Sequence, residues 1–404
     1  MSIYRPEDKV NLERMRRERV EKARAQMEKD GIGAYLCFSQ GNIKYLTDTF
    51  TTMIYLFFNR NVLFPRTGDP MLYEWGSRYW RVRDEVAPWL KGKVYPGWRL
   101  GAYLMDGREP TAFLDDLVKV LSDHDVINEP LAIDMPVVTV NFAELFKNKG
   151  LKVIDARPSL TQARMIKTQD EIECMRITCA ITEEAFDAAR EAIRPGVRES
   201  DLAAIVNDVF MRRGSDGPDE PNVCAGENTH PNMMVYNMNT IRPGDMIFLD
   251  LHNRWRGYHS CVYRCFTCGR ASQRQKELYE ETRSLTYKAI EQVKAGVTTA
   301  DICEVWPEPK HWGFKTWREC SENALGHGIG LDIHESPMIT PLYSSEHPVT
   351  LQENMVIALE TYYGTLPPET LGEGARTEED LLVTKDGYEI LTKWPIDEIT
   401  EAWI

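Results

Sequence analysis

The sequence Phe-Leu-Asp-Leu-His at residues 248–252 and its return, Gly-Tyr-His-Ser-Cys-Val-Tyr-Arg at residues 257–264, decide how the second half of this chain folds. On a strand, residues two apart share a face, so Asp250 and His252 point the same way. Cys261 lies on the returning stretch, and a tight connection would pair this stretch with residues 248–252. The pattern predicts a hairpin on which a carboxylate and a soft ligand meet across the strands.

Further candidate ligands follow along the chain. His327 lies in a glycine-rich run, Glu360 follows the apolar residues 355–359, and Glu378 opens another strand-like segment. Carboxylate and imidazole groups that arrive one at a time from separate elements suit a catalytic metal site. Cys261 is the odd member, because a second carboxylate at its position would complete a two-metal site.

Length and composition exclude several classes of protein. The 404 residues are enough for two domains, and 43% hydrophobic with 27% charged residues is ordinary for a globular protein. The net charge of −14, without a block rich in lysine and arginine, argues against nucleic-acid binding. No apolar stretch of about 18 residues is present, so we expect no membrane span.

The cellular compartment is predicted from the cysteines and the first residues. Nine cysteines, odd in number and irregularly spaced, do not resemble a disulfide framework. The first eight residues lack the apolar core of a signal peptide. We therefore expect a cytoplasmic protein.

A domain boundary is predicted near residue 160. Helices alternate with short apolar strands before it, which is typical of an α/β domain. Long helices and then strands follow it. The predicted domains are residues 1–160 and residues 161–404, and the principal helices are predicted at residues 11–30, 168–193, 200–213 and 273–294.

Several stretches together resemble the creatinase, aminopeptidase P and prolidase family. They are residues 248–250, Gly257 and Tyr258 with Arg264 and Phe266, residues 326–335, Glu360, the Arg-x-Glu at residues 376–378 with Val383 and Thr384, and the helix entry at residues 164–176. The motifs agree in order and spacing over residues 160–395. The resemblance implies an N-terminal creatinase-like α/β domain followed by a pita-bread catalytic domain, in which a curved sheet is backed by helices.

The same resemblance implies roles for individual residues. Asp250, His327, Glu360 and Glu378 would be metal ligands, and His334 would steady a tetrahedral intermediate or a substrate carboxylate. Metal-assisted hydrolysis is the chemistry implied, with Glu360 or Glu378 as the group that takes the proton. Family members of this size are typically homodimers, and a homodimer is expected here, with contacts from the tryptophan-rich residues 73–100.

The chain departs from the family at Cys261, which stands where the dinuclear peptidases carry an aspartate. A thiolate can bind zinc or iron, but the carboxylate bridge between two ions is lost. His252 could compensate, because it shares the strand face of Asp250. Three outcomes stay open: one softer metal, two metals held through Asp250, His252 and Cys261, or none. The metals considered are zinc, iron and manganese.

A second departure concerns the loop that would bind substrate. His230 lies three residues before the position where the family places a substrate-binding histidine, which Met233 occupies. His230, His334 and Arg376 are the substrate-binding candidates, and His230 is also a catalytic candidate. The Gly-x-x-Thr-x-Pro shape of this loop is similar to that of dimethylsulfoniopropionate lyases of the same family, whereas His334 is a peptidase-like feature.

Cys261, Cys265 and Cys268 form a third pattern, whose spacing alone matches that of an iron–sulfur cluster. On an extended strand, however, Cys268 would face away from the other two. The metal-peptidase interpretation therefore explains this segment better.

These observations favour a hydrolase that cleaves a C–N bond of a small polar or zwitterionic compound. A conventional Xaa-Pro dipeptidase is disfavoured, because such an enzyme needs both ions. The alternatives are a C–S lyase that releases acrylate from dimethylsulfoniopropionate, and a non-catalytic binding protein on the same fold. Substrate identity is not predicted by the sequence.

Overall fold

A computed structural model describes residues 6–51, 59–98, 100, 110–134, 140–217 and 219–404. The chain divides into two compact units, one of residues 11–164 and one of residues 165–404 together with residues 6–10. Residues 1–5, on which part of the signal-peptide expectation depends, lie outside the described residues. None of the described helices is both long and apolar enough to cross a membrane.

The N-terminal unit is an α/β structure built on a six-stranded sheet. Its strands run in the spatial order β4-β3-β2-β1-β5-β6, with β5 parallel to both β1 and β6. The strands are β1 (Ala34–Cys37), β2 (Asn61–Pro65), β3 (Met71–Glu74), β4 (Val94–Pro96), β5 (Leu131–Ile133) and β6 (Val153–Asp155). The helices are α1 (Leu12–Asp30), α2 (Gln40–Thr47), α3 (Arg78–Arg81), α4 (Thr111–Asp123), α5 (Val140–Asn148) and α6 (Arg157–Met165).

Local chemistry sets the ends of α1. The Asn11 side chain accepts a hydrogen bond from the backbone N–H of Arg14, which satisfies one of the free donors at the helix start. Gly31 ends the helix with φ of 65°, a left-handed conformation that suits glycine. The helix predicted at residues 11–30 is therefore confirmed.

One buried carboxylate in this unit is surrounded by cations. Asp48, only 8% exposed, lies 2.9 Å from Lys44 Nζ and 3.1 Å from nitrogens of both Arg16 and Arg19. Burial opposes ionisation, but Lys44 and Arg19 outweigh it and hold the pKa of Asp48 well below its usual range. We call these four residues the Asp48 cluster.

The second unit holds two antiparallel sheets. Strands β11-β10-β12-β13-β14 form one, and strands β9-β8-β7 form the other, with β15 parallel to β9 at its edge. The strands are β7 (Asn222–Ala225), β8 (Met246–Trp255), β9 (Tyr258–Cys268), β10 (Ala324–Gly328), β11 (Glu335–Ile339), β12 (Val356–Gly364), β13 (Gly374–Val383), β14 (Tyr388–Ile390) and β15 (Thr400–Ala402). The helices are α7 (Gln169–Ala192), α8 (Glu199–Arg212), α9 (Gln273–Ile290), α10 (Thr299–Cys303) and α11 (Pro341–Ser344).

The helices of this unit begin where the sequence provides caps. Thr168 and Glu171 form a reciprocal capping box at the start of α7, and Ser272 with Gln275 does the same for α9. Helix α9 ends at Ile290, four residues before the predicted end at residue 294. Apolar side chains of α9 pack on β12 and β13 through a buried cluster that includes Leu285, Ala289, Ile357, Leu359, Leu381 and Val383.

The predicted hairpin is present as β8 and β9. Its turn consists of Arg256 and Gly257, with φ of 50° and 85°, the positive values that a tight two-residue hairpin turn requires. The register pairs His252 with Cys261 across the two strands. Because residues two apart share a face, Asp250 lies beside this pair and on the same side of the hairpin.

The two sheets adjoin along β9 and β13. Cys261 donates its backbone N–H to Oδ2 of Asp380 at 3.2 Å, and Arg264 Nη2 lies 2.8 Å from Oε2 of Glu379. Both members of the second pair are buried, with 1% exposure each. These contacts place the ligand candidates of β8 and β9 beside those of β12 and β13.

Candidate active site

His327, Glu360 and Glu378 converge in the second unit. Each contributes a nitrogen or oxygen atom to a group whose atoms all lie within 4.8 Å of one another, and all three side chains are buried. They come from β10, β12 and β13, which are neighbours in one sheet, and Glu360 pairs directly with Glu378 across the strands. Two carboxylates in opposed positions repel each other, so this arrangement calls for a cation between them.

Glu378 is the least satisfied of the three. It has 0% exposure, and neither of its carboxylate oxygens has a hydrogen-bond partner among the described residues. His327 Nε2 lies 3.6 Å from Oε1 of Glu378, beyond hydrogen-bond distance, and also has no hydrogen-bond partner among the described residues. Burial, followed by the negative charges of Glu360 and Asp250, raises the pKa of Glu378 well above its usual range.

Glu360 is held by Arg376 from the adjacent strand. Arg376 Nε and Nη2 lie 2.8 Å and 2.7 Å from Oε2 of Glu360, so both contacts fall on one oxygen. Arg376 is 2% exposed, and its guanidinium carbon stands 4.5 Å from the centre of the Tyr263 ring. Nη1 of Arg376 has no hydrogen-bond partner among the described residues, so this nitrogen remains for the substrate-binding role predicted for Arg376.

Asp250, His252 and Cys261 form a second group. Their donor atoms also lie within 4.8 Å of one another. His252 Nε2 is 2.7 Å from Oδ2 of Asp250, and the Cys261 sulfur is 3.9 Å from Oδ1. Burial opposes the charged imidazolium, but Asp250 outweighs it and raises the pKa of His252 to about 9. Burial, then Glu378 and Asp250, raises the pKa of the Cys261 thiol well above its usual range.

His334 lies where the two groups meet. A ring nitrogen of His334 belongs to a third group with Cys261 and His327, within the same 4.8 Å limit. Its ring centre is 4.2 Å from that of His327. Desolvation at the site, then His327 and His252, lowers the pKa of His334 to about 4. His334, whose side chain is exposed, is therefore neutral near pH 7 and reachable by a small molecule.

His230 is placed differently from the other candidates. Its Nδ1 lies 2.6 Å from the hydroxyl of Tyr362, which donates to the backbone oxygen of Thr229 at 2.7 Å. Burial lowers the pKa of His230. The structure does not bring His230 into any of the three ligand groups. Its catalytic and substrate-binding roles stay predictions.

Two residues beside the ligands had no assigned role in the sequence. Tyr263, 2% exposed, hydrogen-bonds Asp250 and accepts from Asn222 Nδ2 at 3.2 Å. Asp380 accepts from the backbone of Cys261 and has 0% exposure. Tyr263 follows Cys261 by two positions, and Asp380 follows Glu378 by two positions. Because residues two apart on a strand share a face, this spacing is the sequence signal that could have identified both residues.

The iron–sulfur pattern gathers no cluster among the described cysteines. The Cys265 sulfur lies 3.1 Å from the backbone oxygen of Arg376, and no group of potential metal ligands in the described chain includes Cys265 or Cys268. All nine cysteines are free and buried.

The residues present fit a divalent metal. His327 Nε2 and both oxygens of Glu378 are buried donors of electron pairs, and a polar atom buried without a partner costs about 1–3 kcal/mol. Imidazole and carboxylate are common ligands of zinc and manganese. A cation among the carboxylates of Glu378, Glu360 and Asp250 would also offset their mutual repulsion, which adds to burial in raising the pKa of Glu378.

Comparison with known proteins agrees with this geometry. The model of metallopeptidase family M24 matches residues 173–385, and that of the creatinase/prolidase N-terminal domain matches residues 19–166. A Xaa-Pro dipeptidase of Pyrococcus furiosus is 31% identical over 281 residues, which are 69% of this chain and 77% of that protein.

Two solved structures share the fold along nearly the whole chain. A prolidase of Thermococcus sibiricus superposes with a TM-score of 0.76 at 22% identity, covering 95% of this chain and 99% of its own. An X-Pro aminopeptidase of Thermotoga maritima gives a TM-score of 0.74 at 23% identity, with 95% and 99% covered. The predicted fold, a creatinase-like α/β domain followed by a pita-bread domain, is confirmed.

Fold and site together define a metal-dependent class of hydrolase. The chain belongs to metallopeptidase family M24, with a creatinase/prolidase N-terminal domain ahead of the catalytic one.

Proposed function

We propose that this protein hydrolyses a C–N bond of a small polar or zwitterionic compound, with a divalent metal held by His327, Glu360 and Glu378. One observation carries the proposal. These three side chains form a buried group whose key donor atoms have no protein partner in the described chain. Their positions match the family motifs, whereas Cys261 and His252 alter the other half of the site.

A bound divalent ion would polarise the carbonyl of the scissile bond and lower the pKa of the attacking water. Arg376 orients Glu360 through Oε2, which leaves Oε1 for a ligand or a proton. His334, neutral because its pKa is lowered to about 4, can hydrogen-bond an oxygen of the substrate without adding charge.

The substrate is proposed to differ from a Xaa-Pro dipeptide. In the Asp250 half of the site, His252 engages Oδ2 and a thiol stands in place of a carboxylate, so a carboxylate bridge between two ions is lost. The exposed His334 and the buried, charged groups around it suit a compact polar molecule. The relatives named above support C–N hydrolysis, and none of those names supports the lyase or the binding protein.

A substrate panel tests the proposal. Metal-free protein would be reloaded with manganese, zinc or cobalt and incubated with Xaa-Pro dipeptides, other dipeptides, N-acyl amino acids and amidino compounds. Release of free amine, followed by mass spectrometry, is the readout. We expect turnover in one of the non-Xaa-Pro classes, lost in Glu378→Gln and kept in the control Glu353→Gln, which changes an exposed glutamate.

Two results would contradict the proposal in different ways. Fast manganese-dependent turnover confined to Xaa-Pro dipeptides would refute the substrate class and leave the hydrolase. Amine release that persists in Glu378→Gln would refute the assigned site.

A cytoplasmic homodimer completes the proposal, and light scattering during size-exclusion chromatography measures the oligomeric state.

A further inference from the structure

We propose that Asp250, His252 and Cys261 form a second metal position that selects zinc, beside the carboxylate-rich position of His327, Glu360 and Glu378. The two positions belong to one site. The catalytic meaning of the second therefore rests on the proposed function, although its existence does not.

The geometry gathers three donors of three kinds. The register sets His252 opposite Cys261, and Asp250 stands on the same face two residues before His252. His252 Nε2 faces Oδ2 of Asp250 at 2.7 Å, and the Cys261 sulfur faces Oδ1 at 3.9 Å. Ligands of a tetrahedral zinc ion at roughly 2.0–2.3 Å from the metal stand about 3.3–3.8 Å apart. Zinc coordination would therefore lengthen the His252–Asp250 contact and slightly shorten the Cys261–Asp250 contact.

The surroundings favour retention of an ion. Asp250 is 4% exposed and Cys261 is 3% exposed, so few waters compete for them. Cys261 is fixed through its backbone N–H, which donates to Asp380. Three protein ligands leave one position of a tetrahedral ion for a small molecule, which is the usual composition of a catalytic zinc site.

Donor chemistry separates the two positions. The first offers one imidazole and two carboxylates, a set that manganese accepts. The second includes a thiol, and sulfur ligands favour zinc over manganese. The protein should therefore keep one zinc ion in the presence of excess manganese, while the other position exchanges.

Cobalt(II) is the direct probe, because a thiolate bound to cobalt gives an intense near-ultraviolet charge-transfer absorption. Metal-free wild-type protein titrated with cobalt should develop this absorption. Cys261→Ser and Cys261→Asp should lose it, and Glu378→Gln should keep it. The matched control is Cys265→Ser, which removes another buried thiol from the same strand face and should keep the absorption.

Retention of zinc gives an independent readout. Zinc-loaded protein dialysed against manganese should hold about one zinc per chain by elemental analysis. His252→Ala and Cys261→Ser should each lower the affinity for zinc on the order of 100-fold or more. Mutation of a residue that merely hydrogen-bonds a metal ligand already lowers metal affinity by about 10–100-fold. Circular dichroism of each variant verifies folding.

Absence of the absorption in folded wild-type protein would overturn the proposal, as would its persistence in both Cys261 variants. Failure of the proposed function looks different. If the protein shows the cobalt–thiolate absorption but hydrolyses no compound of the substrate panel, the proposed metal position stands and the proposed reaction is refuted.

Discussion

Glu378→Gln should stabilise the metal-free protein, although it removes a residue of the proposed site. The Glu378 carboxyl is buried, has no hydrogen-bond partner in the described chain, and lies opposite Glu360. An amide of the same shape cannot ionise, so the variant avoids the like-charge repulsion with Glu360 that opposes ionisation of Glu378 as pH rises.

The size of the effect follows from the raised pKa of Glu378. An unfolded chain releases this proton near pH 4.3, whereas the folded, metal-free protein releases it only at a higher pH. Folding then takes up a proton, so stability falls as pH rises, by up to about 1.4 kcal/mol per pH unit. At pH 7.5 the cost of keeping Glu378 is therefore at most about 4 kcal/mol. We expect a gain of about 1–4 kcal/mol for the variant.

Urea unfolding in the presence of a chelator measures this gain. Wild type, Glu378→Gln and the control Glu353→Gln would be compared between pH 5 and pH 8.5. The difference between wild type and Glu378→Gln should grow with pH, and the control should stay close to wild type. In thermal unfolding each kcal/mol corresponds to about 2–4 °C for a unit of this size.

Addition of zinc or manganese should reverse the order. Wild type should gain about 4.1 kcal/mol at a metal concentration 1,000 times Kd, which exceeds the expected advantage of the variant, and the variant should gain much less because it lacks a ligand. The reasoning is refuted if the metal-free variant is less stable than wild type at pH 8, or if the difference does not depend on pH.

Three further predictions concern stability. Asp48→Asn should cost about 3–5 kcal/mol, because it leaves the cations of the Asp48 cluster without their counter-ion. Because the pKa of Asp48 is lowered in the folded protein, its stabilising effect is present above about pH 4 and is lost as pH falls through the folded pKa. A difference in unfolding free energy between wild type and Asp48→Asn that stays constant down to about pH 2 would contradict this prediction. Arg264→Met and Glu379→Gln should each cost about 3–5 kcal/mol, and a double-mutant cycle should give a double variant less impaired than the sum; additive costs would mean that the pair is not coupled. Gly328→Ala should cost about 1–3 kcal/mol by chemical unfolding, because its Cβ would meet a backbone carbonyl, and Gly330→Ala, whose Cβ would meet a flexible side chain, should cost less; equal costs would contradict this difference.

Local signals in the sequence account for much of the fold. The caps at Asn11 and Thr168 determine where two helices begin, and both were readable from residue type and spacing. The alternation of residues 248–252 and 257–264 predicted the hairpin and the shared face of Asp250 and Cys261. These features depend on neighbours within a few residues, which is why they could be predicted.

The long-range pairs could not be predicted in the same way. That Arg376 holds Glu360 depends on the register of β12 and β13, and nothing local in either segment fixes that register. The bond between His230 and Tyr362 likewise joins residues far apart in the chain. The substrate-binding roles of Arg376 and His230 stay predictions that rest on residue type, because their partners within the fold lie too far away in the chain to leave a local signal.

The two ligand groups of the candidate active site differ in how their charges are balanced in the metal-free protein. When both are ionised, Glu360 and Glu378 repel each other across adjacent strands, and among the described residues Arg376 pairs with Glu360. In the other half, His252 supplies a positive charge to Asp250, and Cys261 adds no charge while its pKa stays raised. The carboxylate half therefore depends on a metal for charge balance, whereas the Asp250 half is balanced without one. A metal held by Asp250, His252 and Cys261 would have to replace the His252–Asp250 contact and the thiol proton, so affinity there would come from the sulfur–metal bond rather than from relief of repulsion. The two halves should consequently differ in metal preference, as the cobalt and zinc experiments measure.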